Sequence, residues 1–481
     1  MNRSIRMVSI FSLLLILVLL INLTVIQAFR TEEYADNPLN RRAYLEMAQQ
    51  PRGSISTAGV VLAESIQDED GFYQRQYLNN PQIYGPVTGY LSQVYGAAGL
   101  EASYNEVLNG TDETMAVRSV WSTILGESTP VGNVELTLNP GMQQVAHDFM
   151  AESGYEGAVV AIRPSTGEIL TMASSPSYNA QEIVDPNTSE ATWAALNADP
   201  GSPLLNHATQ EILPPGSTFK VITTAAGLAQ GYTPDSQLTG ANNITLPGTN
   251  TTLENYGGQV CAGQQQVSLA TAFQLSCNTA FVEMGIGAGA DAMRDTAAAF
   301  GVGETYNLGL PMVAGTVGDI PDDAALGQSS IGQRDVALSV LQNAVIAATV
   351  ANGGLRMEPH LVARVTSPSG STISQTEPRE LTQAVSPEVA GTLTELMRAS
   401  ERNTAGYAGQ DIASKTGTAE HGEDSRNSNP HAWYIAFSPS SDVAVAVVVK
   451  NGGSAGQAAT GGSVAAPIGR AVIAAAVGSQ G

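Results

Sequence analysis

From Met7 to Phe29 the chain runs apolar, with only Ser9, Ser12, Asn22, Thr24 and Gln27 interrupting. A run of that length spans a bilayer as a helix. A cleavable signal has a shorter apolar core and small residues before the cut, a pattern that Ile26-Gln27-Ala28 fits poorly. We therefore expect an uncleaved anchor. Arg3 and Arg6 precede it and Glu32, Glu33 and Asp36 follow. This charge asymmetry keeps residues 1–6 cytoplasmic, lets residues 7–29 span, and puts everything from Arg30 onward on the extracytoplasmic face.

Roughly 450 residues remain, enough for one large domain and a smaller one. A formal net charge of -23 argues against nucleic acid as the main partner. The histidines, at 147, 207, 360, 421 and 431, show no metal-ligand spacing, so neither a metal nor another cofactor is expected. Cys261 and Cys277 are the only cysteines. An exported chain matures where disulfides persist, so a bridge between them is expected. It would brace the loop carrying Ser276; the other arrangement is a small buried Cys277 with Cys261 as a free loop thiol.

Residues 30–135 are polar and rich in Tyr, Asn and Gln, and read as a modest mixed domain. A β-type run at Val134 to Leu138, then Pro140-Gly141 and an apolar-periodic helix to Met150, place a boundary there, with residues 136–481 as the large domain. Gly157 to Met172 reads as a hairpin. Helices are expected from Ser217 to Leu228, capped by Ser217 or Thr218, and over Val267 to Met284, Val336 to Asn352 and Ala465 to Val477. Strands are expected at Ile412 to Ala419, Ala432 to Phe437 and Val443 to Val449, with a Gly-rich loop from Gly452 to Ser463.

Only three lysines occur, against eighteen arginines, and two of them sit in suggestive company. Guanidinium keeps its proton in proteins, so a lysine is needed where a cation must release one. Ser217 and Lys220 are three apart, which puts them on one helical face with the amine in reach of the hydroxyl. A serine becomes a nucleophile when a base takes its proton, and lysine can be that base once burial and a second cation depress its pKa. Lys415 is the obvious second cation. Ser276 can both donate and accept, which suits passing a proton from Lys220 to a leaving amine, and the Asn278 amide can hydrogen-bond a peptide backbone. Gly417, in a strand, leaves room for a substrate backbone. Thr416 and Thr418 offer hydroxyls to a carboxylate, and a backbone N–H here, with that of Ser217, can form an oxyanion hole.

Each element has an ordinary counterpart: Ser-x-x-Lys recurs by accident, Ser-x-Asn caps helices, and Lys-Thr-Gly sits in many strands. The ordered set is what carries weight: Ser217-x-x-Lys220, Ser276-Cys277-Asn278 fifty-nine residues later, and Lys415-Thr416-Gly417 a further 139 on. Two other glycine patterns carry no site. Gly452 to Gly456 opens no helix, and Gly285 to Gly289 reads as a helix end.

With these motifs the chain resembles the monofunctional class B penicillin-binding proteins over most of its length, especially an actinobacterial branch. Arg52-Gly53-Ser54-Ile55 and Tyr104-Asn105-Glu106-Val107-Leu108-Asn109-Gly110 are similar to the family's pedestal signatures. Leu213 to Lys220 is similar to its nucleophile helix, and His431-Ala432-Trp433-Tyr434 to its strand after Lys-Thr-Gly. The resemblance implies an α+β fold: a penicillin-binding transpeptidase (serine β-lactamase-like) domain with an antiparallel five-stranded sheet and a helical cluster, preceded by a small mixed pedestal and one transmembrane helix. It implies a D,D-transpeptidase in which Ser217 attacks the penultimate D-Ala carbonyl of a peptidoglycan stem peptide, with β-lactams acylating the same serine. The pedestal is too short for a glycosyltransferase domain, so the family implies a partner, a polytopic glycosyltransferase of the shape, elongation, division and sporulation type.

Cys277 stands where the Ser-Asp-Asn form of the motif has Asp, which weakens a β-lactamase reading though Ser-x-Asn is kept, and Glu304-Thr305-Tyr306-Asn307 only approximates a Glu-x-x-Leu-Asn, so a fast deacylating base is unsupported. Two alternatives stay open: a D,D-carboxypeptidase or slow β-lactamase, with water as acceptor, and a non-catalytic anchored scaffold or sensor that binds stem peptide or penicillin.

Overall fold

The structure, a computed structural model, describes residues 2–29, 49–112, 131–421 and 428–478. The acidic residues expected after the apolar run, part of the polar domain, and most of the loop between His421 and Pro430 lie outside the described residues. The chain divides into two compact units, Met1–Pro51 with Ser65–Gln74, and Arg52–Glu64 with Arg75–Gly481. In the first, the helix Asn2–Phe29 contains a stretch, Arg3–Gln27, long and apolar enough to cross a membrane.

In the second unit, Ile55–Thr57 lies parallel to Asn133–Leu136 and antiparallel to Val60–Gln67, and Val362–Thr366 pairs with the other edge of Asn133–Leu136. One buried carboxylate ties this region together. Glu101 accepts from Arg52 Nε at 2.8 Å, Arg75 Nε at 2.5 Å and Tyr77 Oη at 3.2 Å, and Arg52 Nη1 also reaches Asn105 at 2.8 Å. The Arg52 and Asn105 segments, distant in sequence, meet at this carboxylate. A charge buried this way is tolerated because its lone pairs are filled by donors of opposite charge.

The site is built against an antiparallel five-stranded sheet, ordered Ala413–Ala419, His431–Ser438, Val443–Val449, Gly157–Ile162, Ile169–Ser175. This agrees with the α+β architecture expected from the sequence. Val443–Val449 is apolar at every position because both of its faces are buried. Its Val443, Val445 and Val447 pack with Met142, Met150, Ile468 and Val472 of the helices Pro140–Glu152 and Ala466–Gly478. Ala444, Ala446 and Val448 face a larger core that includes Val340–Ala351 and the helical cluster. Period-two alternation thus gives one strand two different cores.

Three expectations need correcting. The helix expected from Ser217 does not start there as an α-helix: Gly216–Phe219 is a 3-10 turn, and the α-helix runs Lys220–Ala229. Neither Ser217 nor Thr218 caps it, because the buried Thr218 hydroxyl already bonds Pro215 O at 3.0 Å and Asn343 Oδ1 at 3.1 Å. The helix expected over Val267 to Met284 is a short strand, Gln266–Ser268, and two helices, Leu269–Leu275 and Asn278–Ala288. They break where Ser276 turns left-handed at φ 60° and Cys277, bonded to Cys261, is extended. The stretch Gly452 to Ser463 is not an open loop but two tight turns, Lys450–Ala458 and Gly461–Ala465, the second closed by reciprocal Thr460 and Ser463 hydrogen bonds.

The bridge closes a 16-residue step across Cα atoms 5.9 Å apart. In the chain-entropy picture a loop of this size is worth about 3 kcal/mol. Equilibrium denaturation of a Cys261→Ser/Cys277→Ser chain is expected to give a stability lower by about that amount; an unchanged midpoint would show that the bridge does not constrain the unfolded chain.

Candidate active site

The break at Ser276 is what assembles the site. It turns the Ser276 hydroxyl and the Asn278 amide toward Lys220, whose side chain is fully buried. Lys220 Nζ contacts Ser276 O at 2.8 Å, Asn278 Oδ1 at 2.8 Å and Ser276 Oγ at 3.2 Å. Lys415, 1% exposed, donates from Nζ to Ser276 Oγ at 2.9 Å and to Thr416 O at 3.0 Å. One hydroxyl therefore lies between two amines.

The hydrogen-bond set accommodates a neutral Lys220 as well as a charged one, and burial decides between them. Two partners of Lys220, a carbonyl and an amide oxygen, can only accept, so a neutral amine spends both hydrogens on them. Its lone pair then faces Ser276, whose oxygen accepts from Lys415 and whose own hydrogen is free for Lys220. The electrostatics favour the neutral state. Burial, and then the charge of Lys415, hold Lys220 well below the usual lysine range. Burial alone pushes Lys415 down to about 7. Among the described residues, no carboxylate hydrogen-bonds either amine to oppose this.

Aromatic rings supply part of the burial. Lys220 Nζ lies 5.0 Å from the centre of Phe281 and Lys415 Nζ 5.9 Å from that of Phe273. The two phenylalanines flank the break, one on each helix, and sequence reading passed over them as apolar helix positions. The ring quadrupole offers a weak attraction to a cation without the strong pull of a carboxylate.

Ser217 is partly exposed and its hydroxyl makes no hydrogen bond to Lys220, despite the i, i+3 spacing. In the 3-10 turn, Lys220 leans toward Ser276 and Asn278 instead. The turn is held from outside: Gly216 N donates to Gly332 O at 3.0 Å and Trp433 Nε1 to Pro214 O at 2.8 Å. The Trp433 contact, 219 residues apart in sequence, had no signal in either segment. Ser217 N–H lies second in the 3-10 turn, where the first amides have no partner inside the helix.

Lys415, Thr416, Gly417 and Thr418 lie on Ala413–Ala419, the sheet's edge strand. The Thr416 and Thr418 hydroxyls, partly exposed, make no side-chain hydrogen bond. The missing side chain of Gly417 serves a neighbour different from the one expected: a Cβ there would sit 2.6 Å from Pro215 O and 3.1 Å from Thr218 Cγ2. The glycine lets the turn Pro215 to Thr218 dock on the strand. Asn278 likewise has a partner already, its Nδ2 donating to Glu254 O at 2.9 Å. Asn255, which sequence reading missed, caps the same helix, its Oδ1 accepting from Thr279 N at 3.1 Å while Nδ2 holds Ala241 O and Gln259 O.

Glu304 is engaged elsewhere, in a two-pronged pair with Arg356 at 2.7 and 2.8 Å. Among the described residues, no group of three His, Cys, Asp or Glu could hold a metal ion.

Comparison with known proteins places this arrangement. Residues 157–474 match the penicillin binding protein transpeptidase domain, and residues 52–134 the penicillin binding protein A dimerisation domain. The chain is 48% identical over 489 residues to the peptidoglycan D,D-transpeptidase PbpA of Mycolicibacterium smegmatis, covering 99% of each protein. Penicillin-binding protein A of Mycobacterium tuberculosis, solved as a ceftriaxone acyl-enzyme, superposes with a TM-score of 0.87 at 48% identity over 90% of this chain and all of that one. Its penicillin G acyl-enzyme gives a TM-score of 0.85 at 48% identity over 89% of this chain. With two buried lysines meeting at the Ser276 hydroxyl beside the edge of a five-stranded sheet, a transpeptidase-domain match over residues 157–474 and a 48% identical full-length relative, the chain belongs to the penicillin-binding protein transpeptidase family.

Proposed function

We propose that the chain is a peptidoglycan D,D-transpeptidase that cross-links stem peptides ending in D-Ala-D-Ala through an acyl-Ser217 intermediate, and that β-lactams acylate the same serine. The observation that carries this is the Ser276 hydroxyl held between Lys220 and Lys415, beside the turn bearing Ser217. Relatives solved as penicillin G and ceftriaxone acyl-enzymes support the same chemistry.

Ser217 attacks the penultimate D-Ala carbonyl and gives its proton to neutral Lys220. The proton passes through Ser276 to the departing D-Ala amine. Lys415, with the unengaged hydroxyls of Thr416 and Thr418, receives the terminal carboxylate. The N–H of Ser217 and one from the edge strand stabilise the tetrahedral oxyanion, and Asn278 orients the donor backbone with its remaining amide hydrogen. An amine of a second stem peptide then resolves the ester.

In this reading residues 1–6 are cytoplasmic, 7–29 anchor the chain, 30–135 form the pedestal and 136–481 the transpeptidase domain, facing the extracytoplasmic side. The match of residues 52–134 to one family domain and 157–474 to another supports that division. Glycan polymerisation comes from a polytopic glycosyltransferase partner of the shape, elongation, division and sporulation type.

The full chain in detergent, incubated with fluorescent penicillin, is expected to carry stable label that peptide mapping places on Ser217, with none on Ser217→Ala. Label elsewhere, or none on folded protein, would sink the assignment. With stem-peptide substrate, cross-linked dimer is expected; free D-Ala without dimer would make the chain a carboxypeptidase.

The lysine shifts set a pH profile. Lys220 must be neutral to accept a proton, and its depressed pKa makes acylation fall only at pH well below the ordinary lysine range. Lys415 must be charged to hold a carboxylate, and with its pKa near 7 the efficiency falls as pH rises through that value. Second-order acylation rates are therefore expected to be bell-shaped. Lys415→Arg, which keeps its charge, should be slower but lack the alkaline limb; an alkaline limb that persists in that variant would assign it to another group.

A further inference from the structure

Behind the Lys-Thr-Gly strand lies a second buried charge cluster that the mechanism does not use. Glu401, fully buried, sits at the end of the helix Pro387–Arg402. Its Oε2 accepts from Tyr434 Oη at 2.9 Å and from the Ser414 hydroxyl, and its Oε1 accepts from Arg470 Nε at 2.7 Å. Arg470 Nη1 bonds Ala405 O at 2.7 Å, closing the loop that follows the helix onto the C-terminal helix. One carboxylate thus joins two strands of the sheet and two helices.

The strand register gives this cluster its bearing on the site. Ser414 immediately precedes Lys415, and Tyr434 is paired with Thr416 across the ladder. Ser414 and Lys415 project to opposite faces, so the cluster grips the strand from behind where Lys415 reaches forward to Ser276. As an edge strand, Ala413–Ala419 has a ladder on one side only, so its placement depends on what packs against its faces, and Ser414 is where the Glu401 cluster bonds to it. Burial, with the Glu401 carboxylate beside it, keeps the Tyr434 hydroxyl protonated, so that it remains a donor.

We propose that Glu401, acting through Ser414 and Tyr434, is a positioning residue that holds Lys415 at hydrogen-bonding distance from Ser276. A carboxylate suits the task because it accepts from three donors at once, and its charge is matched by Arg470. Breaking the set leaves buried donors without partners, and the edge strand is the least restrained element able to shift in response.

The proposal rests on Ser217 as the acylated residue, so wild-type label that survives in Ser217→Ala would sink that premise separately. With the premise standing, the full chain in detergent is compared with Ser414→Ala, Glu401→Ala and Glu401→Gln for second-order acylation by fluorescent penicillin across pH, per folded molecule, beside thermal melting. Ser414→Ala and Glu401→Ala are expected to slow acylation ~10- to 100-fold, the scale of a small misplacement of a reacting group, and to displace the alkaline limb set by Lys415. Glu401→Gln keeps an oxygen for Ser414 and Tyr434 and should recover most of the rate. A lowered melting temperature with the wild-type rate and pH profile in the folded fraction would overturn the proposal and leave Glu401 a structural residue. Should Glu401→Ala fail to fold, Ser414→Ala, which removes one hydroxyl, decides by the same criterion.

Discussion

Two lysine amines are buried around one serine hydroxyl with no carboxylate among the described residues to neutralise them, and the surrounding structure follows from that constraint. Taking a charge out of water costs several kcal/mol unless it is paired, and two like charges sharing a low-dielectric site add a further penalty. The cheapest state leaves Lys220 neutral, which is also the state that the proposed general base needs. Stability and the proposed chemistry make the same demand on that amine, and the cost of withholding a counter-ion falls on the rest of the domain. The all-apolar strand Val443–Val449 and the cores on its two faces offset it.

Placing the middle motif at a break between helices, rather than within one, decides what it can do. In a continuous helix the Ser276 carbonyl would be taken by the backbone four residues on. The left-handed turn frees that carbonyl for Lys220 and aims hydroxyl and amide at the same amine. Three devices hold the break: the Cys261–Cys277 bridge, the Asn255 cap on Thr279, and Asn278 bonded to Glu254. All three draw on the segment 254–261, so the conformation of one loop sets the geometry of the relay.

The chemistry was legible because it demands particular residue types at particular spacings, and scarce lysines marked two of the three motifs. The sheet was legible because runs such as Ala-Val-Ala-Val-Val-Val have no other use. The helix break was not, since Gln274-Leu275-Ser276-Cys277-Asn278 contains neither Gly nor Pro to announce it. Gly417 showed that a side chain was unwelcome without showing whose backbone required the space. Glu401, inside Glu-Leu-Met-Arg-Ala-Ser-Glu-Arg, reads as an ordinary solvated helix charge; only the tertiary fold brings Ser414, Tyr434 and Arg470 around it. What escaped the sequence in each case is a contact whose partners lie far apart in the chain.

The edge strand is the one place where this site could be built. A central strand has both ladders filled, leaving no backbone for a substrate to pair with, while an edge strand keeps one row of donors and acceptors open. That openness also makes an edge strand the least restrained part of a sheet, yet the role proposed for Lys415 requires it to stay at hydrogen-bonding distance from Ser276. The fold meets both needs by restraining the strand on every side except the open one. Gly417 lets the Pro215 to Thr218 turn dock directly against it, and a Cβ at Gly461 would lie 2.7 Å from Gly417 O, so a second turn closes on it as well. Small residues at these contacts act as close-packed fasteners, and the buried carboxylate grips the strand from the opposite face. The open row of hydrogen bonds can then remain free for substrate without the lysine drifting from its serine.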